Sequence, residues 1–357
     1  MLTLEKRPAD SQVMSYLSPL LAIALTLLSG ALLFTVMGKD PFDSLYTFFI
    51  SPLSDLYGWT ELGTKAGPLL LCAMGLMLCF KARIWNIGAE GQFILGGLGG
   101  GYIALQIMDA EGIWVLPTVL LCGALCGMAW GALAAVLETR FNANEILTTI
   151  MLNYIALNWL LYGVHGPLKD PDGFNFPESA IFSEAATLPV LFDDYRLNIS
   201  IFFALFAMAA IWTLMSRTMM GFQISVLGED KSAAAFAGFK AKRLTWFALL
   251  ACGALAGLAG VSEVTGTVGQ LTPYISPGYG YAAIIVVFLG RMHPLGILFA
   301  SMLLALTYMG GEMAQMDLGL PKSLTGLFQG MLLFYLLACD LLISYRVVKK
   351  KAPAIAG

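Results

Sequence analysis

The chain has 357 residues, 58% of them hydrophobic and only 12% charged, where soluble domains carry roughly 25% charged residues. That composition excludes an ordinary soluble protein and makes lipid the solvent for most of the chain. A formal net charge of −3 excludes the electrostatic footprint of a nucleic-acid binder, so membrane lipid is an expected partner and nucleic acid is not.

The first apolar run, 17–37, is longer than a signal-peptide core and no small-residue cleavage site follows it, so it reads as a retained span behind an N-terminal tail, 1–16. Further apolar runs follow at 64–80, 87–107, 113–137, 146–164, 199–215, 244–264, 278–290, 294–311 and 323–345. The expected fold is an all-α integral membrane protein of about ten transmembrane helices, some broken or re-entrant, in two pseudo-related halves. Its transmembrane domain is 17–345, and 346–357 form a C-terminal tail. Ten crossings put both ends on one side. If that side is the cytoplasm, only Lys39, Lys65, Lys169, Arg196 and Lys322 of the 20 basic residues fall outside and the remaining 15 fall inside. This is the bias of the positive-inside rule, and it predicts an inner (plasma) membrane protein with both termini cytoplasmic.

Three connections carry more than a turn. Residues 40–63, with Pro41, Pro52, Asp43, Asp55 and Glu61, predict a short outer-surface helix. Residues 165–198 are an outer loop with Pro167, Pro171, Pro177 and Pro189 and the acids Asp193 and Asp194; order and flexibility both remain open for it. Residues 216–243 form an inner loop with a helical pattern. There Glu229, Asp230, Lys231, Ala234, Phe236, Ala237 and Gly238 compose a short helix, acid at its start and glycine at its end. A membrane-surface connector and a docking element are both compatible with that pattern.

Two spans are interrupted. The third opens Trp85-Asn-Ile-Gly-Ala-Glu-Gly-Gln92, placing Asn86, Glu90 and Gln92 beside a run of glycines. An ionised Glu90 at mid-bilayer would cost about 2.5–3.5 kcal/mol, so it should face protein, water or the interface. The second interruption, 266–280, holds Gln270, Tyr274, Pro273 and Pro277 ahead of the short apolar run 281–290. Irregular backbone at membrane depth survives only inside protein or along a cavity, and paired breaks occur at the substrate sites of transporters. On the fifth span Glu145, Thr149 and Asn153 share one face at i, i+4 and i+8, with Tyr154 beside them; Thr325 and Gln329 make a lesser stripe on the last. Interhelical packing and pathway lining are both open for these stripes.

Gly123, Gly127 and Gly131, and Gly253 and Gly257, follow the small-xxx-small spacing that lets helices approach closely. The six cysteines all lie in apolar runs and show neither a disulfide framework nor a metal pattern. No phosphate-binding G-x-x-x-x-G-K-[ST] loop occurs, and no buried acid–histidine relay is evident. The chain therefore reads as no enzyme, with no cofactor of its own. Its energy is expected from a partner.

The strings Trp85 to Gln92 and Asn144-Glu-Ile-Leu-Thr-Thr-Ile-Met-Leu-Asn-Tyr154 resemble the permease subunits of bacterial ABC importers for simple sugars and nucleosides, in particular the nucleoside branch. Cys252-Gly-Ala-Leu-Ala-Gly-Leu-Ala-Gly260 and Phe288-Leu-Gly-Arg-Met-His-Pro-Leu-Gly296 extend the resemblance, which runs from about residue 15 to 347. The resemblance implies a second permease subunit, identical or not, ABC ATP-binding subunits that hold ATP and Mg, and a periplasmic or lipid-anchored solute-binding protein. It assigns the helix around residues 229–239 to coupling with the ATPase. The stretch Phe222-Gln-Ile-Ser-Val-Leu-Gly-Glu-Asp-Lys231 departs from the family's usual arginine-bearing loop, which bears on which ATPase is accepted. The implied solute is neutral and polar, a nucleoside first and a simple sugar such as ribose or galactose second. An ion-coupled secondary transporter is the alternative of a different class.

Overall fold

The structure is a computed structural model that describes residues 2–7, 11–173 and 175–349. Parts of both expected tails, including Lys350 and Lys351, lie outside the described residues. In chain order the elements are β1 (Leu2–Lys6), α1 (Gln12–Val36), α2 (Pro41–Phe49), α3 (Leu56–Lys81), α4 (Ala89–Gln106), α5 (Val115–Phe141), α6 (Glu145–His165) and α7 (Ser200–Arg217). They continue with α8 (Met219–Glu229), α9 (Lys231–Phe236), α10 (Ala241–Glu263), α11 (Tyr279–Leu289), α12 (Pro294–Leu318), α13 (Ser323–Ser344) and β2 (Tyr345–Lys349).

Eight of these helices are long and apolar enough to cross a membrane: α1, α3, α5, α6, α7, α10, α12 and α13. The other two expected spans are α4 and α11, the two that the sequence marks as interrupted. At 1.5 Å per residue the 11 residues of α11 rise about 16 Å, half of a hydrocarbon core about 30 Å thick. The segment is completed by non-helical chain.

The chain divides into two compact units, Met1–Ser54 with Leu306–Gly357, and Asp55–Ala305. These units do not follow the expected halves, because both interruptions lie in 55–305. In the terminal unit α1 packs on α13, with Ser18 donating to Asp340 (2.7 Å) and Ser29 bonded to the Tyr335 hydroxyl (2.6 Å). Phe34, Phe48, Leu324 and Phe328 make its core. β1 pairs antiparallel with β2, Leu2 opposite Lys349 and Lys6 opposite Tyr345. The two expected tails are thus partly one ribbon.

In the central unit α10 lies against α3, α4 and α5. The glycine spacing explains the closeness, since a Cβ on Gly127 would fall 2.4 Å from the Gly253 carbonyl oxygen and 2.5 Å from Gly257 Cα. Two sequence expectations are corrected here. The short helix expected over 40–63 is confined to α2, and residues 56–63 are the opening turns of α3: Asp55 caps it through Gly58 N–H (2.8 Å) and Glu61 pairs with Lys65 and with Arg196, each at 3.6 Å. The inner helix is shorter than 229–239: Asp230 breaks it from α8 and caps α9 through Ser232 N–H (2.7 Å), so Glu229 belongs to the preceding helix.

The segment 165–198, expected as an outer loop, is tied down at its described residues. Its chain bonds to the segment after α10 through Ser179 N–H to Leu271 O (3.0 Å), Phe182 N–H to Gly269 O (2.9 Å) and Leu188 N–H to Thr265 O (3.0 Å). Ser179 is consequently only 2% exposed, whereas Asp194 is exposed. Single cysteines at Asp194 and Ser232, in a background without the native cysteines, are expected to react with impermeant maleimide from opposite faces of the membrane. Reaction of both from one face would refute the assigned crossing of α7.

Candidate substrate pathway at two broken helices

The first break follows α3. The chain passes through Ala82 to Gly88 before α4 begins, and Gly88 offers no side chain to cap it. The backbone groups released there must bond within the protein, because lipid offers no partner. Asn86, fully buried, accepts from Gly88 N–H (2.8 Å) and turns its amide toward Gln92 Oε1 (3.4 Å) and Cys252 Sγ (3.3 Å). The stripe on α6 supplies the rest. Thr149 Oγ1 accepts from Ile87 N–H (3.1 Å); Asn153 accepts from Gly91 N–H (2.8 Å) and donates to Ile87 O (2.8 Å).

The second break follows α10, which widens into a π-turn, Val264–Val268, and stops at Gly269 with φ +80°. The chain then runs non-helically to Gly278, φ +97°, where α11 begins without a side-chain cap of its own N-cap residue. Ser276 Oγ accepts from Gly278 N–H (3.1 Å) and Tyr279 N–H (3.2 Å). Glu90 reaches across from the first turn of α4, and its Oε2 accepts from Gly280 N–H at 2.8 Å. The Tyr281 amide and the Ser276 side chain also lie close to this carboxyl group. A residue on one broken helix thereby caps the other. Asn153 closes the group by donating to the Tyr281 hydroxyl (3.1 Å). The approach is close enough that a Cβ on Gly280 would lie 2.3 Å from Glu90 N.

Beside this junction is a cavity of about 390 Å³, lined by Glu90, Ile94, Asn153, Tyr154, Leu157, Leu160, Leu161, Pro273 to Ser276, Gly278 and Tyr281. Of the residues singled out from the sequence, Glu90, Asn153, Tyr154 and Tyr274 meet here, Tyr274 being 88% exposed. Asn86, Gln92 and Thr149 are buried behind it and hold the first break. Glu145 opens α6, half-buried. Gln270 instead donates to Glu178 of the outer loop (2.8 Å), and Gln329 to Thr307 in the terminal unit (3.3 Å). Sequence reasoning missed Ser276 and Tyr281, although both stand in the Gly/Pro-rich interruption. It also missed the buried Glu263, which lies in the field of Lys65 and Arg196.

Paired discontinuous helices around a cavity, in a chain with eight membrane-length helices, define a multi-spanning permease. Residues 58–337 match the family described as branched-chain amino acid transport system / permease component, and the chain belongs to that family of ABC-transporter permease components. It is 31% identical to a glucose ABC transporter permease of Haloferax volcanii, over 97% of this chain and 93% of the relative. Identity is 28% to a nucleoside ABC transporter permease of Lactococcus lactis (96% of each chain) and 28% to a guanosine ABC transporter permease of Bacillus subtilis (89% of this chain, 92% of the relative).

Asn153→Leu removes an acceptor from Gly91 N–H and donors from Ile87 O and Tyr281. Leaving buried backbone groups unpaired costs about 1–3 kcal/mol each, so the apparent Tm of the detergent-purified chain should fall by several degrees, with Asn153→Asp losing less because it still accepts from Gly91. An unchanged Tm in Asn153→Leu would remove Asn153 from the junction.

Proposed function

We propose that this chain is the membrane subunit of an ATP-driven importer that passes nucleosides. The observation that carries this reading is the cavity at the junction, where Tyr154, Tyr274 and Tyr281 stand around Asn153. Tyrosine faces suit a flat base, and amide and hydroxyl groups suit a sugar's hydroxyls. The nucleoside and guanosine permeases among the relatives support it. A simple-sugar solute is the second reading, favoured by the glucose permease relative, since the same polar groups bond a sugar without a base. In either case a second permease subunit, ATP-binding subunits holding ATP and Mg, and a solute-binding protein complete the machine, and both termini lie in the cytoplasm. The test is calorimetry of the cognate binding protein with uridine, adenosine, guanosine, ribose, galactose and glucose. Micromolar or tighter binding of a nucleoside is expected; sugar binding alone would replace the nucleoside reading with the sugar one.

The proposed coupling element is α9. Asp230 caps it, Ala234 is its buried contact, Phe236 projects 94% exposed, and Gly238 ends the turn with φ +78°. An exposed aromatic on a short, fixed helix fits a socket on a partner. Lys240 and Arg243 line a neighbouring cavity of about 390 Å³ with Met219, Met220 and Gln223. ATP-driven closure of the partner subunits would move α9 and shift the bundle between inward- and outward-open states. Phe236→Ala is expected to lower solute-dependent uptake in proteoliposomes of the assembled importer at least tenfold while the chain still inserts. Full uptake with normal ATPase association would make α9 a mere connector.

A further inference from the structure

We infer that Glu90 determines the charge selectivity of the pathway by occupying, with its own carboxyl group, the helix terminus that would otherwise receive an anionic solute. In transporters with discontinuous helices, the N-terminal N–H groups of a half-helix are the natural receptor for a substrate's carboxylate, because they are unpaired donors at the positive end of a helix dipole. Here the half-helix is α11 and the donors of its opening residues are already taken: Gly280 N–H goes to Glu90 at 2.8 Å, and Gly278 and Tyr279 N–H go to Ser276 Oγ. Glu90 is itself 6% exposed and forms part of the cavity wall. Among the described residues lining that cavity there is no lysine, arginine or histidine to replace the lost donors. A carboxylate or phosphate entering would meet an acceptor where it needs a donor, and no cation elsewhere in the wall. An uncharged solute loses nothing, since the hydroxyls of Tyr154, Tyr274 and Tyr281 on the cavity wall can still donate to it.

Glu90 is thus a specificity-determining residue that works by filling a site, and it makes the cavity unsuited to the carboxylate of a branched-chain amino acid. The inference deepens the reading of a neutral, hydrogen-bonding solute and rests on it. Its test does not depend on transport.

The full chain, its native cysteines replaced, carries a single cysteine at Tyr274 or at Leu157 and is reconstituted in nanodiscs. The rates of modification by anionic methanethiosulfonate ethylsulfonate and by neutral methyl methanethiosulfonate are then compared. With Glu90 in place the anionic reagent should react at least tenfold more slowly relative to the neutral one than it does with an exposed control cysteine at Asp194. Glu90→Ala frees the α11 donors and should raise the anionic-to-neutral ratio at least tenfold at both positions. Glu90→Gln keeps one acceptor oxygen for Gly280 and so preserves the junction, but it offers half the acceptors and no charge; its ratio should rise at least threefold. A ratio that stays at the unsubstituted value in Glu90→Gln, with neutral labelling unaltered, would overturn the inference and reduce Glu90 to a cap. If the binding protein proves to prefer sugars while the ratios behave as expected, the nucleoside reading falls and the role of Glu90 stands.

Discussion

The structure depends on the rule that a backbone N–H or C=O at membrane depth must bond inside the protein. Eight of the elements obey it by being helices of membrane length. The two interruptions cannot, and the protein answers by laying one against the other. Glu90 of α4 caps α11, Asn153 of α6 holds the turn before α4, and the hydroxyl of Tyr281 returns to Asn153. Remove the side chains and several donors and acceptors lose their partners at once. That is the sense in which the network is cooperative: each bond fixes the geometry that the next one needs.

The same economy shapes the rest of the central unit. Small residues let α4, α5 and α10 approach until backbone touches backbone, which leaves those helices little freedom to slide. The outer loop is tied by backbone bonds to the non-helical chain after α10, and Arg196 adds a bond to Thr267 O (3.1 Å). Loop, π-turn and broken helix are thereby bonded into one piece, which bounds the cavity opposite α6.

Cap and cavity wall are one residue at Glu90, so the same carboxyl group serves the fold and, on our inference, the selectivity of the cavity. A transporter that captured anionic solutes on α11 would have to leave its donors free in the empty state, at the cost of unpaired polar groups in a dry interior. Supplying the acceptor from within removes that cost and fixes the kind of solute the cavity suits.

Much of this was legible in the residues. Apolar runs located the spans, because lipid imposes a length and a composition that no soluble core demands, and the glycines and prolines around Asn86 and Tyr274 located both breaks. The stripe of Thr149 and Asn153 was visible by its spacing. What those side chains bond to was not. Periodicity assigns a residue to a face but not to a partner, so packing and pathway lining stayed equal until α6 was seen to hold the turn at Ile87 and Gly91 while Asn153 also reached the cavity. Gln270 and Gln329 have the same chemistry as Asn153 yet lie elsewhere, one against the outer loop and one in the terminal unit. The start of α3 was misplaced because Asp55, Gly58 and Glu61 break its apolar run, whereas the Asp55 cap and the pairing of Glu61 with Lys65 and Arg196 accommodate them in the helix. The sequence by itself determined a multi-spanning membrane protein with two interrupted spans, since solvent and backbone chemistry act on each segment locally, and the permease reading came from its resemblance to a family. Only the tertiary structure decided that the interruptions meet and that Glu90 caps α11, because residues 190 positions apart are brought within 2.8 Å by the packing of whole helices and by nothing in their own neighbourhoods.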